Sequence, residues 1–290
     1  MRHDHPRHRP FTAFFAYCRM VKIEHSVFAL PFAYIGALLT ARGLPGPEVL
    51  LPLTTAMVCV RSYAMAFNRI ADLPLDRINP RTADRPLVTG EISLPGARRF
   101  CAAAAAGFIA SCAALNSLCL TLAFPTLVLA ALYSYAKRVT RFCHFLLGAV
   151  IGLAPVAGAL GVSPVFTPSS LLLGFAVLFW IAGFDIIYAC LDLDFDKAHG
   201  VHSLPACSGV GPALAVSAFC HVNTVLFLFL AGLEYGLSLG WYAAPAVTAA
   251  LFLWEHSLVG EGRLEKAGLA FALNGPIAVL LLIGAALGIG

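Results

Sequence analysis

The sequence predicts an all-α integral membrane protein: nine transmembrane helices around a central cavity, arranged as two four-helix repeats plus one helix. Three observations carry that expectation. Hydrophobic residues make up 60% of the 290-residue chain and charged residues only 12%, about half the charged share of an ordinary soluble domain. Apolar runs of about 20 residues, the length that crosses a bilayer, recur from end to end, and the mean hydropathy is +0.84. The basic residues gather on one side of a nine-span arrangement.

The spans fall at about 25–41, 49–72, 98–115, 118–136, 143–162, 170–191, 211–232, 238–257 and 267–288. Nothing at the start resembles a cleavable signal with a small-residue cleavage site, so the first span is kept as a true helix. Residues 1–22 read as a basic cytoplasmic tail and residues 23–290 as the transmembrane domain. Of the 19 Lys and Arg, seventeen lie in the tail or in the loops after spans two, four, six and eight. The opposite side holds only Arg42, and Arg61 lies inside a span. Lys and Arg accumulate on the cytoplasmic side. The N-terminus is therefore expected inside a cell's inner membrane, with the loops after the even-numbered spans facing the cytoplasm.

Nine cysteines are present, none in a C-x-x-C pair and most within apolar spans. The odd count and the lack of metal-type spacing argue against a disulfide framework or a zinc site. Buried cysteines of this sort behave as small hydrophobes.

Span two ends in NRIADLPLD at 68–76, and span six leads into DLDFD at 192–196. Both segments share a plan. Asp72-x-x-x-Asp76 is followed by Arg77, Pro86 and Gly90; Asp192-x-x-x-Asp196 is followed by Lys197, Pro205 and Gly209. A duplicated four-helix unit with a ninth helix added accounts for this. Membrane proteins built from repeats place their sites where the repeats meet, which would bring the two clusters face to face.

At about 100° per helical residue, Arg61, Asn68 and Asp72 share a sector of roughly 40°. Pro74 predicts a kink or an end near Asp72, with Asp76 on the following turn. Asn68, Asp72 and Asp76 offer hard oxygen ligands of the kind Mg²⁺ takes. Arg81 and Arg85 follow in NPRTADRP. Metal-holding acids beside guanidinium groups that fork onto phosphate make a diphosphate site; solvated charges at a helix end are the bland reading. Arg61 lies two turns deeper, where a charge faces a cavity or a partner rather than lipid. It reads either as half of a structural ion pair or as an anchor for an anionic substrate group.

In the second cluster Asp185, Tyr188, Asp192 and Asp196 fall on one face of an ideal helix, within about 80°, whereas Asp194 points elsewhere. Asp185 sits as deep relative to Asp192 as Arg61 does relative to Asn68. His202 and Ser203 in the next loop are either solvated or phosphate contacts, and His256 beside Glu255 is either part of the mouth or a bystander. Tyr133, Lys137 and Arg138 mark another cytoplasmic helix end. They either supply cations to the site or touch lipid headgroups.

A diphosphate ester with a long lipid tail suits these parts. Divalent ions with Arg and Lys stabilise the charge that develops as diphosphate leaves. An allylic ester leaves a carbocation that aromatic faces stabilise, and a buried site shields it from water. An electron-rich ring then attacks. Nothing in the sequence points to nucleic acid or to an obligate protein partner.

At these residues the sequence resembles the UbiA superfamily of intramembrane aromatic prenyltransferases. The resemblance is carried by Asn68-x-x-x-Asp72-x-x-x-Asp76 with NPRTADRPLVTG, by Tyr133-x-x-x-Lys137-Arg138, and by GFDIIYACLDLDFD with SLP. It implies a nine-helix fold with a central cavity and Mg²⁺-dependent ionisation of a polyprenyl diphosphate, followed by C-prenylation of an aromatic ring. It also implies that Asn68, Asp72, Asp76, Asp192 and Asp196 hold metal and diphosphate. Arg81, Arg85, Lys137 and Arg138 would contact phosphate, and Arg61, Asp185 and Tyr188 would hold the acceptor, with Asp185 counted among the catalytic acids.

KIEHSVFALPFAYIGA, RSYAMAFNR and WEHSLV look like the quinone-biosynthesis branch that prenylates aromatic acids. Arg69 departs from the Asn-Asp start common in ubiquinone-type enzymes. It is similar to the futalosine-pathway menaquinone enzymes, whose acceptor is 1,4-dihydroxy-6-naphthoate. The rival readings are a superfamily enzyme with a chlorophyll, haem or lipid acceptor, and a cation transporter. A transporter needs midplane ligands and access from both faces, whereas these acids gather at one face. A structural subunit without chemistry leaves the paired clusters unexplained.

Overall fold

The computed structural model describes residues 10–23, 26–260 and 263–290, and the described residues form helices and loops without a strand. The helices are α1 (Pro10–Val21), α2 (Ser26–Ala41), α3 (Pro47–Asp76), α4 (Leu94–Leu115), α5 (Ser117–Ala136), α6 (Cys143–Val162), α7 (Pro168–Ala189), α8 (Leu193–His199), α9 (Leu204–Ser208), α10 (Val210–Tyr235), α11 (Leu239–Leu258) and α12 (Ala267–Gly288). Each expected span coincides with a long helix: α2 to α7, then α10 to α12.

Seven helices among the described residues, rather than nine, are long and apolar enough to cross a membrane: α3 to α7, α10 and α12 with the turn before it. The other two fall short for different reasons. The described part of α2 is 16 residues long, less than the roughly 20 residues a span needs. The 20 residues of α11 include Glu255 and His256, which dilute its apolar character.

The polar tail is not all loop. Residues 1–9 lie outside the described residues, but α1 follows them and buries Ala16, Met20 and Val21. Tyr17 stacks on Phe100 of α4 with ring centroids 5.0 Å apart.

Sequence explains where the helices begin. Pro47, Pro95, Pro168 and Pro205 occupy first-turn positions of α3, α4, α7 and α9, where a missing N–H costs nothing. Ser93, Asn116, Thr167 and Ser203 accept hydrogen bonds from the exposed N–H groups of α4, α5, α7 and α9.

The helix does not end near Asp72: α3 runs through Pro74, and Asp76 is its last residue rather than part of a following turn. A proline ring crowds the carbonyls one turn back. There Arg138 Nη2 donates to the Ala71 carbonyl at 2.5 Å, the kind of outside partner that lets a membrane helix tolerate proline.

The sites of closest helix approach are where α2 and α7 meet α6. A Cβ at Gly158 would sit 1.9 Å from the Ala33 carbonyl oxygen of α2, and one at Gly148 would sit 2.3 Å from the Leu178 oxygen of α7. Small residues let membrane helices meet backbone to backbone. The slab of α2, α6 and α7 sets the ends of α3 and α7 around a common hollow.

Candidate active site

That hollow has a volume of about 400 Å³. Of the twelve residues singled out from sequence, eleven line it: Arg61, Asn68, Asp72, Asp76, Arg81, Arg85, Lys137, Asp185, Tyr188, Asp192 and Asp196. The last, Arg138, is not part of the lining. It stands behind Asp72, with Nη2 3.8 Å from Asp72 Oδ1, and its guanidinium lies 5.1 Å from the Tyr135 ring centroid. Its visible work is to hold the end of α3.

The first cluster is gripped from several elements. Lys137 Nζ, at the end of α5, donates to Asp72 Oδ2 at 2.5 Å, and Asn68 Nδ2 donates to the same oxygen at 3.1 Å. Arg85 Nη1 donates to Asp76 Oδ2 at 2.6 Å. Asp72 Oδ1 is buried without a hydrogen-bond partner.

The second cluster is tied to the first. Arg81, in the loop after α3, reaches across with a fork: Nε donates to Asp192 Oδ1 at 2.7 Å, and Nη2 to Oδ2. Its Nη1 donates to the Tyr188 hydroxyl at 3.1 Å. Ser203 Oγ donates to Asp196 Oδ2 at 2.8 Å, and the His202 backbone N–H donates to the Lys137 carbonyl at 2.7 Å.

Two of these groups have displaced proton affinities. Burial opposes the charge of Arg81, but the hydrogen bond and charge of Asp192 outweigh it and hold Arg81 above its ordinary value. Burial pushes the Asp196 carboxyl up, and the neighbouring Asp192 adds to this. The Ser203 hydrogen bond and the Lys137 charge pull it back part of the way.

The donor set fits Mg²⁺. Among the described residues no three Asp, Glu, His or Cys side chains stand close enough to hold a cation by themselves. Mg²⁺ does not need that: it commonly takes one or two carboxylates plus substrate phosphate oxygens. Asp72 keeps an oxygen without a hydrogen bond, and the carboxylates of both clusters line the same cavity.

A second cavity of about 220 Å³ is almost wholly apolar, walled by residues such as Leu53 of α3, Phe108 of α4, Leu122 of α5 and Leu160 of α6. Arg61, Met65, Tyr133, Leu147 and Ile151 border both cavities. Arg61 thus marks the junction between a charged chamber and a greasy one.

Some expectations resolve here. Asp194 and His202 are exposed, Ser203 lines the cavity, and His256 pairs with His221 at 3.0 Å away from the lining. Sequence reasoning passed over others. Arg69 was read as a loop charge and a branch marker, yet it is 7% exposed, lines the cavity and donates to Asn68 Oδ1 at 3.3 Å. Its place beside Asn68 inside α3 was the available signal. His144 and Asn274 also line the cavity, and each is a lone polar residue in an apolar run.

The UbiA prenyltransferase family model matches residues 29–275. The chain belongs to that family. UbiA relatives include the 4-hydroxybenzoate octaprenyltransferase of Alkalilimnicola ehrlichii, 30% identical over 86% of this chain and 85% of that protein. The enzyme of the same name from Sodalis glossinidius is 29% identical over 93% of each. Among solved structures, a UbiA homolog from Aeropyrum pernix K1 in its apo form superposes with a TM-score of 0.82 at 37% identity, over 90% of this chain and 97% of that one. A UbiA homolog from Archaeoglobus fulgidus bound to GPP and Mg²⁺ shares the fold, with a TM-score of 0.68 at 21% identity over 92% and 99%. This UbiA protein is therefore a multi-pass membrane prenyltransferase.

Proposed function

We propose that the protein transfers a polyprenyl group from polyprenyl diphosphate to the ring of a hydroxylated aromatic acid in quinone biosynthesis. The acceptor is 4-hydroxybenzoate or 1,4-dihydroxy-6-naphthoate. The observation that carries this reading is the pairing of cavities: one holds two carboxylate clusters and their cations, and the other is an apolar chamber joined to it at Arg61. The curated relatives named for 4-hydroxybenzoate support an aromatic acid, and Arg69 favours the naphthoate through the branch it resembles.

Asn68, Asp72, Asp76, Asp192 and Asp196 would hold Mg²⁺, which supplies charge neutralisation for the departing diphosphate. Arg81, Arg85 and Lys137 bind the diphosphate oxygens, and Arg138 keeps the adjoining end of α3 in place. The apolar chamber takes the tail. As the allylic C–O bond breaks, the electron pair leaves with the diphosphate, and Phe184 and Tyr188 wall the cation. Arg61 pairs with the acceptor carboxylate and Asp185 with its polar substituent, which orients an electron-rich ring carbon toward the cation. That carbon forms the new bond, and its proton passes to the departed diphosphate.

In this reading α2 and α11 also cross the bilayer, giving nine spans. The N-terminus and the acid-bearing ends of α3 and α7 face the cytoplasm of an inner membrane. The test is direct. Membranes containing the protein are incubated with Mg²⁺, a polyprenyl diphosphate and either acid, and the product is identified by mass. A prenylated acid is expected. Active protein that prenylates only a chlorophyll, haem or lipid acceptor would replace this reading.

A further inference from the structure

His144 is the one histidine in the cavity lining, among the described residues, and the proposed chemistry gives it no role. It is 2% exposed in the first turn of α6. Its Nδ1 lies 2.7 Å from Asp185 Oδ2, and its Nε2 accepts from the Leu204 backbone N–H at 3.2 Å. An N–H donates to a lone pair, so the Leu204 contact assigns the tautomer that leaves Nε2 unprotonated. Nδ1 must then carry one and donate it to Asp185. A neutral ring also suits the first turn of a helix, where the backbone dipoles disfavour positive charge.

The partner of Nε2 is not an arbitrary amide. Leu204 opens α9 directly after Ser203, whose hydroxyl holds Asp196. The same two residues therefore touch both layers of the site: Ser203 grips the acid of the outer layer, and Leu204 sets the tautomer of the ring that grips the inner one. We propose that His144 is a positioning residue for Asp185, a fixed neutral donor that sets the carboxylate's angle for the acceptor. This rests on the reading of Asp185 as an acceptor contact.

Two substitutions of similar length separate this role from packing. Gln carries one donor and one acceptor on a neutral amide, and can serve Asp185 and Leu204 together. Met has a similar shape without the donor. With purified protein, the Michaelis constant of His144→Met for the aromatic acid is expected to rise by about tenfold, the lower end for residues that orient a functional group. Its donor Michaelis constant should be unchanged. His144→Gln is expected to stay within about threefold of wild type, with the same pH profile of acceptor kcat/KM, by the same scale. Equal rises in both Michaelis constants for His144→Met, or no rise in either, would overturn the proposal. So would a His144→Gln variant as impaired as His144→Met, since that would make the ring's positive charge the requirement. A wild-type protein inactive on every aromatic acid would instead overturn the assigned reaction.

Discussion

The two acidic clusters reach one cavity by different constructions. Asp72 and Asp76 ride on a single helix of 30 residues and are 3% and 9% exposed at their side chains. Asp192 and Asp196 come after α7 has ended, on the turn Cys190–Asp192 and the seven-residue α8. Their holders are borrowed: Arg81 from the loop after α3, and Ser203 from the loop before α9. Both clusters are cross-linked from other elements, but the acids of the first ride on a rigid rod and those of the second do not. An error in the rod should thus be fatal, whereas the second cluster should lose function in steps.

The harshest way to probe this difference is Asp72→Ala. It removes the carboxylate of a residue only 2% exposed, held on the rigid helix. Prenyl transfer should fall by about a thousandfold, the upper range for loss of one preorganised electrostatic group. The protein should remain folded in detergent by size exclusion and circular dichroism. Asp72→Glu should be nearly as poor, because the rod cannot shift to fit a longer acid, whereas Asp196→Glu should keep measurable turnover. Equal losses for the two Glu variants would erase the distinction.

Next in size is Arg81→Ala, which cuts the fork joining the clusters. A fall of about 10- to 100-fold in kcat/KM for the diphosphate is expected, as for residues that orient ligand carboxylates. Arg81→Lys should recover little, since an ammonium cannot reproduce a planar fork. Arg61→Ala leaves both clusters intact. It should raise the acceptor Michaelis constant by about tenfold, the worth of roughly one charge-assisted hydrogen bond, and leave the donor's unmoved. A raised donor constant instead would place Arg61 in the diphosphate layer. The mildest is Ser203→Ala. Loss of one hydrogen bond from a hydroxyl, worth about 1 kcal/mol, should lower turnover by about fivefold, and added Mg²⁺ should partly restore it.

Much of the fold was legible because hydropathy is a strong, additive signal, and the apolar runs placed every span boundary near its helix. The shorter elements were not. Helix α1 was hidden by its polar flank, and α8 and α9 are too short for any periodicity to show. Pro74 misled because the rescue of its carbonyls comes from Arg138, 64 residues away in the chain, which no local rule can see. The carboxylates were legible because acids are rare in an apolar chain and recur at helical spacing. His144 and Asn274 were not, since each stands alone. Asn274 is placed by the Trp180 indole N–H, which donates to its Oδ1 at 2.5 Å, and by Glu255, whose Oε1 accepts from its Nδ2 at 3.0 Å. Such links exist only after folding.

The glycine contacts of α6 reach beyond packing. Where main chains touch, a wall has no loose side chains to swing aside, and it holds as a block or not at all. The slab of α2, α6 and α7 therefore cannot serve as a doorway. A long hydrocarbon sliding in from the bilayer is expected where ordinary side chains make the wall, on the α3 to α5 side of the apolar chamber that α6 completes. Stiffness on one side of the barrel thus decides on which side a lipid substrate can come and go.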